Sequence, residues 1–181
     1  MTALKTTLPS LTLIKPNPIL HAPITLSWFN SEYGTETLLL MGNAEHEIEV
    51  ATIDSEIQIL EEFVELENKN KQLTWMIEFE KGIIGVAWIE LTKNHSVLPP
   101  SIHLMIGDKD YRGRGIGEAT MTSLIHYITN SMDTNVIYSR HLSSNVAVKN
   151  LMRKIGFDTD GESYVDDNSL EWQNVKLTLA L

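Results

Sequence analysis

The sequence predicts one α/β domain built on a mixed α+β sheet. Its 181 residues fall in the range of roughly 100–200 typical of one domain. No linker, repeat or low-complexity tract divides residues 1–181. The middle of the chain switches to the period-two patterning of strands. Beyond it, strand-like and helical segments alternate as β-α-β-α-β, the order of a sheet with helices packed against it.

The elements follow in order. Pro9, Pro16 and Pro18 punctuate the start, where the alternating run Leu11-Thr12-Leu13-Ile14 suits an edge strand. Pro23 opens a region ending at Met41, with one or two short helices around Trp28 and Leu38-Leu39-Leu40. Asp54 suits a helix N-cap. After it Ile57, Leu60, Phe63 and Val64 recur at helical spacing among Glu61, Glu62, Glu65 and Glu67, an amphipathic helix with an acidic outer face. Residues 73–79 and 83–91 read as a hairpin turning at Glu80-Lys81-Gly82, and 101–106 as a further strand after Pro99-Pro100. A turn at 107–111 leads into Arg112-Gly113-Arg114-Gly115-Ile116-Gly117 and a helix to about Asn130, striped by Met121, Leu124, Ile125 and Ile128. Residues 136–140 form a short strand. Residues 145–154 form a helix carrying Ala147, Val148 and Leu151, with Ile155 following before Gly156 stops it. Residues 175–181 form the last strand.

Composition excludes several classes. Fourteen Lys and Arg face 24 Asp and Glu, a net charge of −10. A general nucleic-acid binder needs a basic face instead. With no cysteine there is no disulfide scaffold, zinc ribbon or cysteine nucleophile. His21, His46, His95, His126 and His141 show no metal-ligand spacing, so no metal is expected. The longest apolar stretch, 83–89, is far short of the roughly 18 residues that span a bilayer. The first twenty residues lack an apolar core for a signal peptide. The expectation is a soluble cytoplasmic protein without a membrane partner.

The chemistry concentrates in the glycine-arginine turn between strand and helix. Glycines let backbone approach a ligand closely, free N–H groups at a helix start stabilise an anion, and Arg112 and Arg114 can add charge-assisted hydrogen bonds. Such a turn can cradle a pyrophosphate. It lacks the Gly-Lys-Ser/Thr of a P-loop, and Glu118 stands where a dinucleotide fingerprint wants its third glycine. A plain connecting turn is the other reading.

Arg112-x-x-Gly115-x-Gly117 matches the R/Q-x-x-G-x-G/A acetyl-CoA motif of the GCN5-related N-acetyltransferase (GNAT) superfamily, which the chain therefore resembles. The segment IHLMIGDKDYRGRGIGEATM looks like that family's fourth strand, turn and third helix. NVAVKNLMRKIGF, from Asn145 to Gly156-Phe157, resembles its N-x-x-A/S…L-Y-x-K-x-G-F helix. Two motifs in the right order are more specific than either alone. The resemblance covers about residues 73 to 157.

The resemblance implies an acyl-CoA N-acyltransferase fold: a central mixed sheet splayed between its fourth and fifth strands, with helices on both faces. Acetyl-CoA would be the co-substrate. Met105, Ile106 and Gly107 would pair their backbone with the pantetheine arm. Gly113, Arg114, Gly115, Ile116, Gly117 and Glu118 would hold the pyrophosphate through backbone N–H groups, helped by Arg112. Asn145 would meet the pantetheine or the departing sulfur, though an N-cap role explains it equally well. Lys149 and Lys154 suit either phosphate contact or a solvated face.

The implied reaction is transfer of an acetyl group to a primary amine. The acceptor would be a small-molecule amine, aminoglycoside- or polyamine-like, or a protein N-terminus. Without cysteine there is no enzyme thioester, so direct transfer in a ternary complex is expected. Many relatives protonate the leaving thiolate with a tyrosine seven residues after the asparagine; Met152 stands there. The ribosomal-protein alanine acetyltransferases place a glutamate base five residues before it; Arg140 stands there. For a base, His103 is the first candidate, because histidine is the side-chain type suited to proton exchange near neutral pH and it shares a strand face with Met105; a sheet-face histidine with a structural partner is the other reading. Glu90 on the preceding strand is the second candidate, or else an exposed strand-end charge; Tyr138 suits either a substitute acid or a core position.

Trp28, Phe29, Trp75 and Trp88 could line an acceptor pocket or fill a core. The region of Glu32 and Glu36 suits either a cationic acceptor or a solvated acidic face. A homodimer through the last strands, with Trp172 at its interface, is a further expectation. A non-catalytic acyl-CoA-binding regulatory module is the alternative function.

Overall fold

A computed structural model describes residues 3–31, 33–93 and 97–179. Its strands, in chain order with the helices, are β1 (Leu4–Lys5), β2 (Leu11–Ile14), α1 (Pro18–Phe29), α2 (Gly34–Leu40), α3 (Ile53–Asn68), β3 (Gln72–Phe79), β4 (Gly82–Glu90), β5 (Ser101–Ile106), α4 (Ile116–Ser131), β6 (Val136–Leu142), α5 (Val146–Ile155), β7 (Asp158–Thr159), β8 (Tyr164–Val165) and β9 (Glu171–Thr178). One sheet runs β1-β2-β3-β4-β5-β6-β9-β7, with β8 also paired to β9. Every pairing is antiparallel except β5 with β6. The family's fourth and fifth strands are thus β5 and β6 here, because the two-residue β1 adds an edge strand.

Local signals explain the helix boundaries. α1 starts at Pro18, earlier than the expected opening at Pro23, which lies inside it. The Asn17 side chain accepts the Leu20 N–H at 3.1 Å, and proline at the first helical position carries no N–H to leave unpaired. α3 is capped by Thr52 rather than Asp54. Thr52 accepts the Ser55 N–H and the Ser55 hydroxyl oxygen accepts the Thr52 N–H, at 3.1 and 2.9 Å. Asp54 sits in the first turn instead, where its charge suits the helix dipole. The β3–β4 hairpin turns on Glu80 and Lys81, both with positive φ (51° and 71°), the geometry whose twist matches that of the flanking strands.

The sheet buries both faces. One core gathers Ile102, Ile116, Met121, Leu124, Ile128 and Ile137 under α4 and α5. The other gathers Ala22, Trp28, Leu60, Met76, Val86 and Met105 under α1 and α3. Trp28 and Trp75 are core residues, and Phe29 packs partly buried beside Trp28. The last strand begins at Glu171, four residues before the expected start, and Ala180 and Leu181 lie outside the described residues. Trp172 is 6% exposed; its ring stands where a Cβ on Gly42 would be, at 2.2 Å. That burial within the chain removes Trp172 as a dimer contact. Among the described residues, no helix is long and apolar enough to cross a membrane.

β5 and β6 meet at a single pair, Ser101 with Tyr138. The Tyr138 N–H donates to Pro100 O at 2.9 Å, and the Ser139 hydroxyl donates to Ile102 O at 2.7 Å. Beyond these the strands part.

Candidate active site

A cleft of about 500 Å³ opens where β5 and β6 diverge. Its lining includes Glu90, His103, Met105, Ile106, Arg112, Gly113, Gly115, Gly117, Glu118 and Asn145 from the expected set. Three further members of that set, Gly107, Ile116 and Arg114, do not line it. Ile116 is 1% exposed and belongs to the core. The Arg114 guanidinium lies 5.1 Å from the Tyr111 ring centroid.

Register decides which backbone groups face the cleft. The Gly107 N–H donates to Ile84 O at 2.9 Å, while Gly85 stands opposite Ile106. In an antiparallel ladder this alternation turns the polar groups of Ser101, His103 and Met105 toward β4. Those of Ile102, Leu104 and Ile106 turn toward β6. Ile102 O is taken by Ser139. Ile106 O accepts Nε and Nη2 of Arg112 at 3.2 and 3.0 Å. Leu104 lies between them, past the last β5–β6 pair, and lines the cleft. The open rung is therefore Leu104. Met105 and Gly107, expected to offer backbone here, turn theirs to the β4 side. Gly107 is needed for packing, because a Cβ there would sit 2.2 Å from the Trp28 ring.

The turn that follows forms an open cradle. Gly113 and Gly115 both adopt positive φ (75° and 77°), with nothing within 4 Å of a Cβ built at either. Their glycines are required by conformation, not crowding. α4 begins at Ile116, and its first internal bond runs from the Ala119 N–H to Gly115 O. The N–H groups just before Ala119 are the orphan donors of a helix start, suited to an anion. Lys154 pairs with Glu118 at 2.6 Å, both exposed, at this end of the cleft.

Two side chains expected at the ligand are used structurally. Arg112 also donates from Nη2 to Thr37 Oγ1 at 2.7 Å. Asn145 caps α5 by accepting the Val148 N–H at 3.2 Å, and its amide donates to Leu40 O at 3.1 Å. Together they fasten α2 across the cleft, where Thr37, Leu40 and Met41 form part of the wall.

The other half of the cleft holds the ionisable groups. His103 stacks on Trp88, with ring centroids 5.2 Å apart and planes at 20°. The Ser101 hydroxyl donates to Glu90 Oε2 at 3.1 Å. With that single proton spent, Ser101 Oγ accepts from His103 Nε2, 3.1 Å away. Nε2 therefore carries the ring proton and Nδ1 the lone pair. Glu90 Oε2 lies 3.6 Å from Nε2, so this edge of the ring faces a carboxylate. This set can accept a proton at Nδ1. Tyr138 does not line the cleft, and Glu36 is exposed outside it. Glu32 and His95 lie outside the described residues. Among those described, no three acidic or histidine side chains gather as a metal site would require.

The family model for the GNAT acetyltransferase domain matches residues 12–158. The chain belongs to the GNAT acetyltransferase family. No curated protein matches the sequence. Solved GNAT-like structures share its fold at low identity. The microcin self-immunity acetyltransferase MccE, in complex with acetyl-CoA and AMP, is 16% identical at TM-score 0.77, covering 95% of this chain and 94% of that one. RimL, a ribosomal-protein α-N-acetyltransferase with bound coenzyme A, is 13% identical at TM-score 0.79, covering 98% of each. RimJ of Mycobacterium smegmatis, with a CoA disulfide, is 14% identical at TM-score 0.77, covering 98% of this chain and 86% of that one.

Within this GNAT domain the sequence missed Leu104, Ser101 and the α2 wall. Ser101 and Leu104 follow from the β4–β5 register, which no periodicity reports. α2 reaches the cleft through hydrogen bonds spanning 75 and 105 residues.

Proposed function

We propose that this GNAT domain acetylates a primary amine by direct transfer, with acetyl-CoA as co-substrate. The observation that carries the reading is one continuous cleft joining the Gly113–Gly115 cradle, the open Leu104 rung and the Glu90–Ser101–His103 set. The cradle fits a pyrophosphate through backbone donors. Leu104 offers a free N–H and C=O to an extended amide arm, as a strand edge does. The relatives solved with acetyl-CoA or coenzyme A support the same donor. Acetyl-CoA supplies the acetyl group and a thiol leaving group.

His103 Nδ1 would take the proton that the acceptor ammonium must lose, because only the free amine is a nucleophile. Ser101 holds the ring in the required tautomer, and Glu90 balances its positive charge. Met152 has no proton to give, so water serves the departing thiolate. The zero cysteine count supports transfer without an enzyme thioester. MccE and RimL point to small-molecule and protein acceptors respectively, and a cytoplasmic setting suits a cysteine-free chain.

The test is release of free thiol from acetyl-CoA across an amine panel. Acceptor-dependent release supports the reading. Tight acetyl-CoA binding without such release favours the second reading, a non-catalytic acyl-CoA-binding regulatory module. That alternative is motivated by Met152 and Arg140 standing where relatives carry acid and base.

A further inference from the structure

Arg140 is the charged side chain on the acceptor half of the cleft that the proposed reaction leaves without a task. It lines the cleft, half-buried, with its guanidinium 4.1 Å from the Trp172 ring centroid. Stacking fixes the plane of the guanidinium and leaves its in-plane donors available. Nη1 donates to the Tyr164 hydroxyl at 3.3 Å. Among the described residues no carboxylate comes within ion-pair distance of it. Asp166 feels its charge, but the Asp166 oxygens are occupied by the N–H groups of Leu170, Asn168 and the Trp172 indole, at 2.9, 2.9 and 2.7 Å.

The strand register places this cation relative to the base. Ser101 pairs with Tyr138 on parallel strands. His103 and Arg140 each lie two residues further on, so both project to the same face. They stand opposite one another across the opening, where strands about 4.8 Å apart begin to diverge. One wall of the acceptor half thus carries Glu90 and His103, and the other an arginine with unspent donors. That arrangement complements a zwitterion: the ammonium at Glu90 and His103, the anion at Arg140.

Resting on the N-acetyltransferase reading, we propose that the acceptor is a small primary amine bearing a carboxylate or phosphate a few bonds from the nitrogen, and that Arg140 selects it. Such an acceptor differs from the cationic one that the region of Glu32 and Glu36 was expected to suit. The anion would make charge-assisted hydrogen bonds to a planar fork already held by Trp172.

The test uses matched pairs with acetyl-CoA as donor: an α-amino acid against its carboxamide, and an aminoalkyl phosphate against the amino alcohol. Thiol release should favour the anionic member of at least one pair by about ten- to hundredfold in kcat/KM. Arg140→Gln should bring that ratio to about one, mainly through KM, and Arg140→Lys should keep part of it. Carboxylate and phosphate sources are told apart by which pair shows the preference. Equal use of both members by the wild type overturns the proposal. So does a preference that survives Arg140→Gln, or turnover confined to peptide amines without an anionic group. If no amine is turned over, the transferase reading fails. Calorimetric titration of the same pairs into the coenzyme A-loaded wild type then judges Arg140 separately. Selective binding of the anionic member supports the proposal, and equal binding overturns it.

Discussion

His103 shows how far a single residue could be read from sequence. Strand alternation places it on one face with Met105, and its side-chain type suggests a base. On the proposed reading, what would make it a base is Ser101, whose one proton goes to Glu90 and so fixes the Nε2–H tautomer. That relay depends on strand register and had no sequence signal. His103→Ala should lower kcat by about 10²–10⁴ and remove the acidic limb of the pH–rate profile. Glu90→Gln should lower kcat less while leaving that limb. An unchanged profile in His103→Ala would remove it as the base. Elsewhere, His21 is buried, and its Nδ1 accepts the Asn17 N–H at 3.0 Å. Burial holds its pKa below the ordinary 6.5, with Glu78 partly opposing. Here the unfolded chain binds the proton more readily, so the contribution to stability is complete above pH 6.5. It is lost as pH falls toward the depressed folded value. Urea midpoints measured between pH 7.5 and 5 should show that decline, and His21→Asn, which keeps an acceptor for Asn17, should flatten it.

At the scale of elements, the glycine-rich turn was legible because its requirements are local: a strand end, positive φ, a helix start. The α2 wall was not, because Gly34–Leu40 is a short apolar helix whose place is set by Arg112 and Asn145. Both of those residues looked like ligand contacts in sequence, and both are spent on holding α2. Gly115→Ala tests the turn. With open space around its Cβ and φ at 77°, the cost is conformational, about 1–2 kcal/mol. Acetyl-CoA affinity should fall by about tenfold while the far-ultraviolet circular dichroism stays unchanged; undiminished affinity would argue that the turn is only a connector. Asn145→Ala should cost about 0.5–2 kcal/mol as a lost cap and also raise the acceptor KM, because α2 is released from its tether. A stability loss with no change in KM would confine Asn145 to capping.

Across the whole molecule, the mixed sheet and its helices were legible from period and order. Buried strands such as β3 alternate faces, and the β-α-β-α-β tail repeats the family's layout. The boundaries that differed, at Pro18, Thr52 and Glu171, were moved by caps and by pairing partners far away in sequence. Charge was informative only locally. α3 holds six acidic residues and no basic one, the densest contribution to the net −10, while the cleft presents Glu90 and Glu118 with Arg112, Arg140 and Lys154. The central claim is that this cleft binds acetyl-CoA and an amine together and passes the acetyl group between them. Initial rates of thiol release, with acetyl-CoA and acceptor amine both varied, test it most directly. Acceptor-dependent release with intersecting double-reciprocal lines is expected, as a ternary complex requires. Parallel lines, or acetyl-CoA binding with no acceptor-dependent release from any amine, would contradict it.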